Sequence, residues 1–271
     1  IGQTLLQDER VRKITFTGST EVGKLLMRGA ADTVKKVSLE LGGHAPFLIF
    51  EDADLDQAVR GVMASKFRNT GQTCVCTNRI YVHESVKEPF IQKLKRQMEQ
   101  LVIGNGMQDG VQIGPLIDRQ AFEKVKRQVE DARAKGAIVH CGGEAAQVAG
   151  QKGYFFQPTL LADVTPEMQI MHEETFGPVA PVVSFSDEQE VIRQANALPY
   201  GLAAYLFTNS LSRAIRVSEQ LEFGMVSVND GVFTAAQVPF GGVKESGLGR
   251  EGGRQGIEEF LETKFVALTL L

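Results

Sequence analysis

A thiol and a carboxylate are the residues of this 271-residue chain best suited to carry chemistry, and 34 positions separate them. Cys74 can supply a nucleophile, because a thiol attacks an electrophilic carbon once it has lost its proton. Glu40 can supply a base that activates water. The pair therefore suits acyl transfer through a thioester, although a packed core cysteine and a solvated glutamate fit the same spacing.

The elements between these two residues can bring both to one cleft. Glu40 lies at the end of a predicted strand over residues 35–41, where the chain must turn. Apolar residues then recur at helical spacing over residues 55–67, and this helix must end near residues 69–71. Cys74 follows in the loop before the next strand. Because reactive side chains gather at strand ends in α/β sheets, one crossover of this length can place both groups together.

The whole chain alternates short apolar strands with amphipathic helices, which predicts an α/β fold. Residues 42–46 are predicted as a turn. Asp52 or Asp54 can cap the helix before Cys74, and Asp118 can cap a later one. The other predicted strands cover residues 14–17, 47–50, 79–83, 138–141, 202–207 and 225–228.

Composition excludes several classes of protein. The formal net charge of −4 disfavours a nucleic-acid binder, and no apolar run approaches the ~18 residues that cross a membrane. Three cysteines indicate reduced thiols, and we expect a cytoplasmic protein. The four histidines lack ligand spacing, so no metal site is predicted.

Two glycine-containing motifs match nucleotide-binding patterns only in part. Residues 18–24 (GSTEVGK) match the start of a phosphate-binding loop, but Leu25 stands where magnesium binding requires Ser or Thr. Residues 247–252 (GLGREG) match the dinucleotide fingerprint as a string, but they follow a loop and not a strand. We therefore predict no triphosphate hydrolysis at residues 18–24 and no dinucleotide fingerprint at residues 247–252.

Five other motifs follow one another in the order and at the spacings of a single enzyme superfamily. They are residues 16–19 (FTGS), 39–43 (LELGG), 71–74 (GQTC), 173–178 (EETFGP) and 239–242 (PFGG). On these motifs the chain resembles the aldehyde dehydrogenase superfamily. Arg68 together with Cys76 resembles its succinate-semialdehyde branch, and succinate and glutarate semialdehyde are the substrates that this implies. The resemblance covers only the second half of such an enzyme.

The resemblance implies roles for the two reactive residues. Cys74 would attack the aldehyde carbon, hydride would pass to NAD or NADP, and Glu40 would activate the water that hydrolyses the thioester. The backbone N–H of Cys74 would help to hold the oxyanion. Because Cys74 follows a helix carboxyl terminus, whose dipole disfavours a thiolate, its activation must come from another source.

The resemblance also implies a set of cofactor contacts. Ser19 opens a helix whose N-terminal N–H groups would meet the pyrophosphate. Glu174 would hold the nicotinamide ribose, and Phe176 would pack against the nicotinamide end. The remaining cofactor-binding residues expected on the same ground are Thr17, Gly18, Val22 and Leu41.

Arg68 is the predicted substrate-binding residue, because it lies six residues before Cys74, just beyond the helix. A guanidinium there can hold the carboxylate of a short substrate, although it can also bond the last carbonyls of its helix. The resemblance adds Thr234, where the branch carries a serine, and Phe240 near the aldehyde pocket. Cys76 is a possible redox partner of Cys74, with a plain buried thiol as the alternative.

We predict three regions along the chain. Residues 1–42 are expected to be the remnant of a Rossmann-like dinucleotide-binding domain, 43–245 an α/β catalytic domain, and 246–271 a return segment with an oligomerisation strand. The apolar tail from Phe260 is expected to pair with a neighbouring subunit in a homodimer or homotetramer. Because no entry strand precedes residue 14, we expect a fragment of a longer chain with an uncovered sheet edge.

The expected function is therefore NAD(P)-dependent oxidation of succinate or glutarate semialdehyde to the dicarboxylate. Two alternatives stay open. One is a thiol esterase that uses Cys74 and Glu40 without a cofactor. The other is an inactive fragment that only associates with itself through its tail.

Overall fold

The computed structural model describes residues 1–270, and it confirms the predicted α/β fold. The helices are α1 (Gly2–Gln7), α2 (Thr20–Ala31), α3 (Leu55–Lys66), α4 (Glu84–Met98), α5 (Arg119–Ala134), α6 (Glu188–Asn196), α7 (Leu211–Gln220) and α8 (Gly253–Glu258). The strands are β1 (Lys13–Thr17), β2 (Lys36–Glu40), β3 (Ala45–Ile49), β4 (Thr77–His83), β5 (Ile138–Cys141), β6 (Thr159–Ala162), β7 (Val179–Phe185), β8 (Tyr200–Gly201), β9 (Ala203–Phe207), β10 (Met225–Val228), β11 (Val243–Lys244) and β12 (Gly247–Leu248).

A seven-stranded sheet in the order β10-β9-β3-β4-β7-β6-β5 forms the centre of the molecule. Its strands run parallel except at the β5–β6 pair. Every residue of β3 and β9 is buried, as their unbroken apolar runs require for strands covered on both faces. Helices therefore lie on both sides of this sheet, and apolar cores fill both faces.

The predicted turn over residues 42–46 is shorter in the structure. Ala45 and Pro46 already belong to β3, and the register with β4 shifts between them. A register shift lets a proline occupy a sheet, because the missing N–H falls where the ladder is already interrupted. The tight connection therefore consists of the residues from Leu41 to His44.

A smaller sheet in the order β1-β2-β12 carries Glu40. Strands β1 and β2 run parallel, and β12 pairs antiparallel to β2, with Gly247 opposite Glu40. Strand β1 lies at the edge of this sheet, as the sequence predicted. The connection from β1 into α2 then brings Gly18 back to Glu40, whose carbonyl accepts the Gly18 N–H at 3.0 Å.

Short polar side chains begin the helices that flank the site. Ser19 accepts the Val22 N–H at 3.4 Å, and Asp54 accepts two N–H groups at the start of α3. Asp118 caps α5 in the same way. Two of these caps, at Asp54 and Asp118, were predicted, and each satisfies helix donors that lack an intrahelical partner.

The last described residues form neither helix nor strand. The side chains of Phe265, Val266, Leu268 and Leu270 are 70–88% exposed. The predicted oligomerisation strand stays a prediction, as do the boundaries at residues 42 and 245. Between residues 1 and 270 no helix has the length and apolar character needed to cross a membrane.

Candidate active site

A cavity of about 640 Å³ lies where the small sheet meets the large one. It brings together Cys74 and Glu40, although the two come from different segments. The other predicted residues in its wall are Thr17, Gly18, Ser19, Leu41, Arg68, Glu174, Phe176, Thr234 and Phe240. Val22 and Cys76 do not line it. A cavity of this size is ample for a small molecule.

Cys74 reaches the cavity because the chain turns sharply after α3. Asn69, Thr70 and Gly71 have φ values of 50°, 59° and 75°, so three successive residues adopt the left-handed region. A side chain on Gly71 would come within 2.3 Å of the Gly177 carbonyl oxygen. Glycine is therefore required there on grounds of both conformation and space. Residues 73–76 then form a turn closed by the Cys76 N–H, which donates to the Thr73 carbonyl at 3.1 Å.

The surroundings of Cys74 keep its thiol protonated. Burial raises its pKa above the ordinary value, and the carboxylates of Glu174 and Glu40 raise it further. The backbone N–H groups of Cys74 and Val75 act in the opposite direction. Removal of the thiol proton therefore needs a base within the site.

Glu40 has the properties of that base. Its side chain is 5% exposed, and its Oε2 atom has no hydrogen-bond partner within the described residues. Burial raises the pKa of Glu40 to about 8, with a further contribution from Glu251 and an opposing one from Arg250. A carboxyl group with this pKa can exchange protons near neutral pH. The Oε2 atom therefore has an unsatisfied capacity to accept a hydrogen bond.

Glu174 lies across the cavity and contacts the turn that follows β2. Its Oε1 atom accepts the Gly43 N–H at 3.1 Å, and burial raises its pKa to about 7. Lys124 lowers this pKa and donates to the Glu174 carbonyl at 3.0 Å. Lys124 is not apparent from the sequence, because it is one of several basic residues in α5 and the helical pattern does not single it out.

One end of the cavity offers groups that suit a phosphate and a sugar. The N-terminus of α2 at Ser19 presents backbone N–H groups, and the helix dipole favours an anion there. The Glu174 carboxylate can accept hydrogen bonds from hydroxyl groups. Phe176 has a φ of 50°, an unusual conformation for a bulky residue, and its ring lines the same end.

The cavity wall also contains a cation and apolar surface. Arg68 is exposed, and its guanidinium has no hydrogen-bond or salt-bridge partner in residues 1–270. It does not bond the last carbonyls of α3, which was the alternative to a substrate contact. Thr234 and Phe240 line the same cavity, and Arg68 also borders a groove of about 1080 Å³ between α3 and α4.

Two predicted residues lie outside the cavity wall. Val22 lies on α2 and is 41% exposed. Cys76 is fully buried beneath the turn, and the Lys66 ammonium donates to its sulfur at 3.3 Å and to Asn78 at 2.9 Å. Both Cys74 and Cys76 are free thiols. The buried position of Cys76 matches the alternative of a packed thiol.

Comparison with known proteins identifies the family. The sequence pattern described as "Aldehyde dehydrogenase family" matches residues 1–266. The chain belongs to the aldehyde dehydrogenase family. This match spans both sheets and includes each residue that lines the cavity.

Several aldehyde dehydrogenases are about half identical to this chain. A succinate-semialdehyde dehydrogenase (NADP+) of Escherichia coli strain K12 is 53% identical over 270 residues, which are 100% of this chain and 55% of that protein. A glutarate-semialdehyde dehydrogenase of Pseudomonas aeruginosa is 52% identical, over 99% of this chain and 55% of its own length. A 3-sulfolactaldehyde dehydrogenase of Pseudomonas putida is 54% identical, over 99% of this chain and 54% of its own length.

Solved structures agree with the fold. The crystal structure of an NADP-dependent enzyme from E. coli matches with a TM-score of 0.96 at 53% identity, over 99% of this chain and 55% of that chain. A succinate-semialdehyde dehydrogenase from Burkholderia pseudomallei gives a TM-score of 0.93 at 50% identity, over 96% of this chain and 53% of that chain. The chain therefore spans about half the length of the relatives that it matches.

Proposed function

We propose that this chain carries the catalytic residues for oxidation of a short acid semialdehyde, succinate or glutarate semialdehyde, to the dicarboxylate. NAD or NADP is the proposed hydride acceptor. The single observation that carries the proposal is that Cys74 and the unpartnered, buried Glu40 carboxyl line one cavity. A nucleophile and a base in one cavity are the groups that thioester formation and hydrolysis require.

The end of the cavity around α2 fits a dinucleotide. Ser19, Thr17 and Gly18 would hold the pyrophosphate at the helix N-terminus, and Glu174 would hold the ribose hydroxyl groups. The aromatic ring of Phe176 supplies an apolar surface for the nicotinamide. When bound, the nicotinamide would accept the hydride that leaves the substrate carbon.

The chain's own residues would perform the remaining steps. The Cys74 sulfur attacks the aldehyde carbon, and the Glu40 carboxylate accepts the thiol proton, directly or through water. Backbone N–H groups at the Cys74 turn stabilise the negative charge that develops on the aldehyde oxygen. After the carbon has been oxidised to a thioester and Glu40 has released the thiol proton to solvent, the Glu40 carboxylate removes a proton from the attacking water. The carboxylic acid product then leaves, and Cys74 regains its proton.

Arg68 supports an anionic substrate. Its unpaired guanidinium lies on the same cavity as the nucleophile and can form a bidentate contact with a carboxylate. The names of three relatives support the same class, since succinate semialdehyde, glutarate semialdehyde and 3-sulfolactaldehyde each carry an acidic group remote from the aldehyde. Thr234 offers a hydroxyl donor at the same end of the cavity.

The proposal is tested by NADH and NADPH formation with succinate and glutarate semialdehyde, in a protein extended to the length of the relatives. Cys74→Ala should abolish turnover. Arg68→Ala should raise the KM for the acid semialdehydes by about 10- to 100-fold, the value of a charge-assisted contact, and leave an uncharged aldehyde of similar length unaffected. Cys141→Ala is the matched control, because that thiol lies on β5 outside the cavity.

The assay also separates the alternatives. Ester hydrolysis that needs no cofactor, without aldehyde oxidation, would establish the thiol esterase in place of the dehydrogenase. Full activity of Cys74→Ala would refute the assigned nucleophile. An Arg68→Ala variant with an unchanged KM for both acid semialdehydes would remove the carboxylate contact.

A further inference from the structure

A buried tyrosine supports the nucleophile turn from beneath. The Tyr205 hydroxyl donates to the Val75 carbonyl at 2.7 Å. Tyr205 is 1% exposed and Val75 is 6% exposed, so water does not compete for this hydrogen bond. No other hydrogen bond to the Val75 carbonyl occurs in the described residues. Val75 directly follows Cys74, so the hydroxyl acts on the segment that carries the reactive sulfur.

Tyr205 is itself held rigidly. It lies in β9, which pairs with β3 on one side and with β10 on the other. Its ring stacks on Phe47 with centroids 5.5 Å apart and meets Phe233 edge to face at 5.3 Å. A strand that is paired on both sides and two aromatic contacts therefore fix the position of the hydroxyl, so it can hold the turn over residues 73–76 in place.

The anchored carbonyl has a consequence for the Cys74 sulfur. Cys74 and Val75 are the two central residues of the turn that the Cys76 N–H closes on Thr73. The backbone N–H groups of Cys74 and Val75 lower the pKa of the Cys74 thiol and thereby offset part of the effect of burial. If the Val75 carbonyl were free to rotate, the turn would change its conformation. These N–H groups would then no longer point at the sulfur, and the pKa of the Cys74 thiol would rise further.

We propose that Tyr205 is a positioning residue for the dehydrogenase reaction, which acts on Cys74 through the Val75 carbonyl. The inference rests on the proposed role of Cys74 as the nucleophile. The Tyr205 hydroxyl keeps the turn over residues 73–76 in the conformation in which the N–H groups of Cys74 and Val75 face the Cys74 sulfur. The same N–H groups would then lie close to the oxygen of a substrate that is bound to the sulfur. Phe233 extends the contact toward Thr234, so the same ring also touches the segment that borders the substrate end of the cavity.

Several charged or titratable groups lie around this hydrogen bond, and the test must leave each of them in place. Those that face Cys74 or Tyr205 are Glu40, Arg68, Cys76, Glu174 and Asp230, and Lys66 lies beneath Cys76. Burial raises the pKa of the Tyr205 hydroxyl, which keeps it protonated and able to donate near neutral pH. A Tyr205→Phe variant removes one oxygen and leaves all of these charges in place.

The experiment measures alkylation of Cys74 by iodoacetamide as a function of pH, with the modified peptide identified by mass spectrometry. This readout needs neither cofactor nor turnover, so it works on the 271-residue chain. In Tyr205→Phe we expect about fivefold slower alkylation below the thiol pKa, equivalent to about 1 kcal/mol, the net value of one hydrogen bond. The pH profile should shift upward, and the plateau at high pH should stay the same.

Tyr81→Phe is the matched control. It removes the hydroxyl of another buried tyrosine in the large sheet. This hydroxyl accepts a hydrogen bond from Arg79, and Tyr81 does not line the cavity. Thermal unfolding followed by circular dichroism shows that each variant is folded. In the extended protein, Tyr205→Phe should lower kcat with little change in KM.

An unshifted alkylation profile in a folded Tyr205→Phe variant would overturn the inference. An equal shift in Tyr81→Phe would overturn it too, because the effect would then follow from general loosening of the sheet. If the wild-type protein, extended to the length of the relatives, did not oxidise aldehydes, this would instead count against the proposed function. The two failures are thus distinguishable, since alkylation does not depend on turnover.

Discussion

At the scale of single residues, Glu40 combines burial with an unpartnered oxygen, and this combination has a cost in stability. In the unfolded chain the carboxyl loses its proton near its ordinary value of 4.5, whereas in the folded chain it keeps the proton to about pH 8. The folded state therefore binds more protons than the unfolded state between these values. Stability must fall as pH rises through this window.

Replacement of Glu40 by Gln tests this directly. Glutamine resembles the protonated carboxyl and never ionises, so the variant should gain stability relative to the wild type as pH rises, and the gain should level off above about pH 8. Urea unfolding at about pH 5 and about pH 9 measures the difference. The same variant should lose thioester hydrolysis, and with it the rise in kcat as pH passes through about 8.

The two readouts check each other. A stability difference that is the same at both pH values would mean that Glu40 titrates normally. Glu173→Gln is the control for a nearby exposed carboxylate that pairs with Arg127 at the surface. That variant should show neither the growing stability difference nor the loss of hydrolysis.

At the scale of elements, the site depends on close approach between backbone segments. A side chain on Gly43 would come within 2.5 Å of the Cys74 carbonyl oxygen. The connection from β2 to β3 is thus packed directly against the turn over residues 73–76. Because the Gly43 N–H also donates to Glu174, this one residue touches the segments of three site residues.

Gly43→Ala should therefore displace the Cys74 turn. We expect a loss of about 1–3 kcal/mol in the free energy of unfolding, the usual cost of overpacking, and a lower rate of Cys74 alkylation. Gly106→Ala is the control, because nothing lies within 4 Å of a side chain placed there. Chemical denaturation compares the two variants, and equal stability of both would contradict the close contact.

Elements were more predictable from the sequence than the contacts between them. The periodic apolar residues of α3 and the capping side chain of Asp54 are local signals, and the sequence predicted both. The turn before β3 was predicted too long, because Pro46 is typical of turns and nothing local shows that a register shift accommodates it. Lys124 and Tyr205 were missed for a related reason. Their roles depend on partners 50 and 130 positions away, which no local pattern reveals.

At the scale of the whole molecule, the sheets have unpaired edges and the chain has an apolar tail. Strand β10 ends the large sheet, and β1 is the edge of the small one. An edge strand presents N–H and C=O groups that a further strand can satisfy. The tail supplies apolar residues that have no cover within residues 1–270, since Phe265 is 88% exposed and Leu268 is 80% exposed.

We therefore expect the tail to mediate self-association by pairing with a sheet edge of a second copy. A chain that ends at Glu262 retains the ion pair with Lys36 at 2.8 Å and lacks the exposed side chains of Phe265, Val266, Leu268 and Leu270. It should be monomeric by light scattering, whereas the 271-residue chain should form a dimer or tetramer. Its free energy of unfolding as a monomer should change by less than about 0.5 kcal/mol, because the removed side chains bury little surface. Phe265→Asp with Leu268→Asp should act in the same way as truncation, since charges at these positions oppose strand pairing. An unchanged molar mass in both variants would show that the subunits associate through another surface.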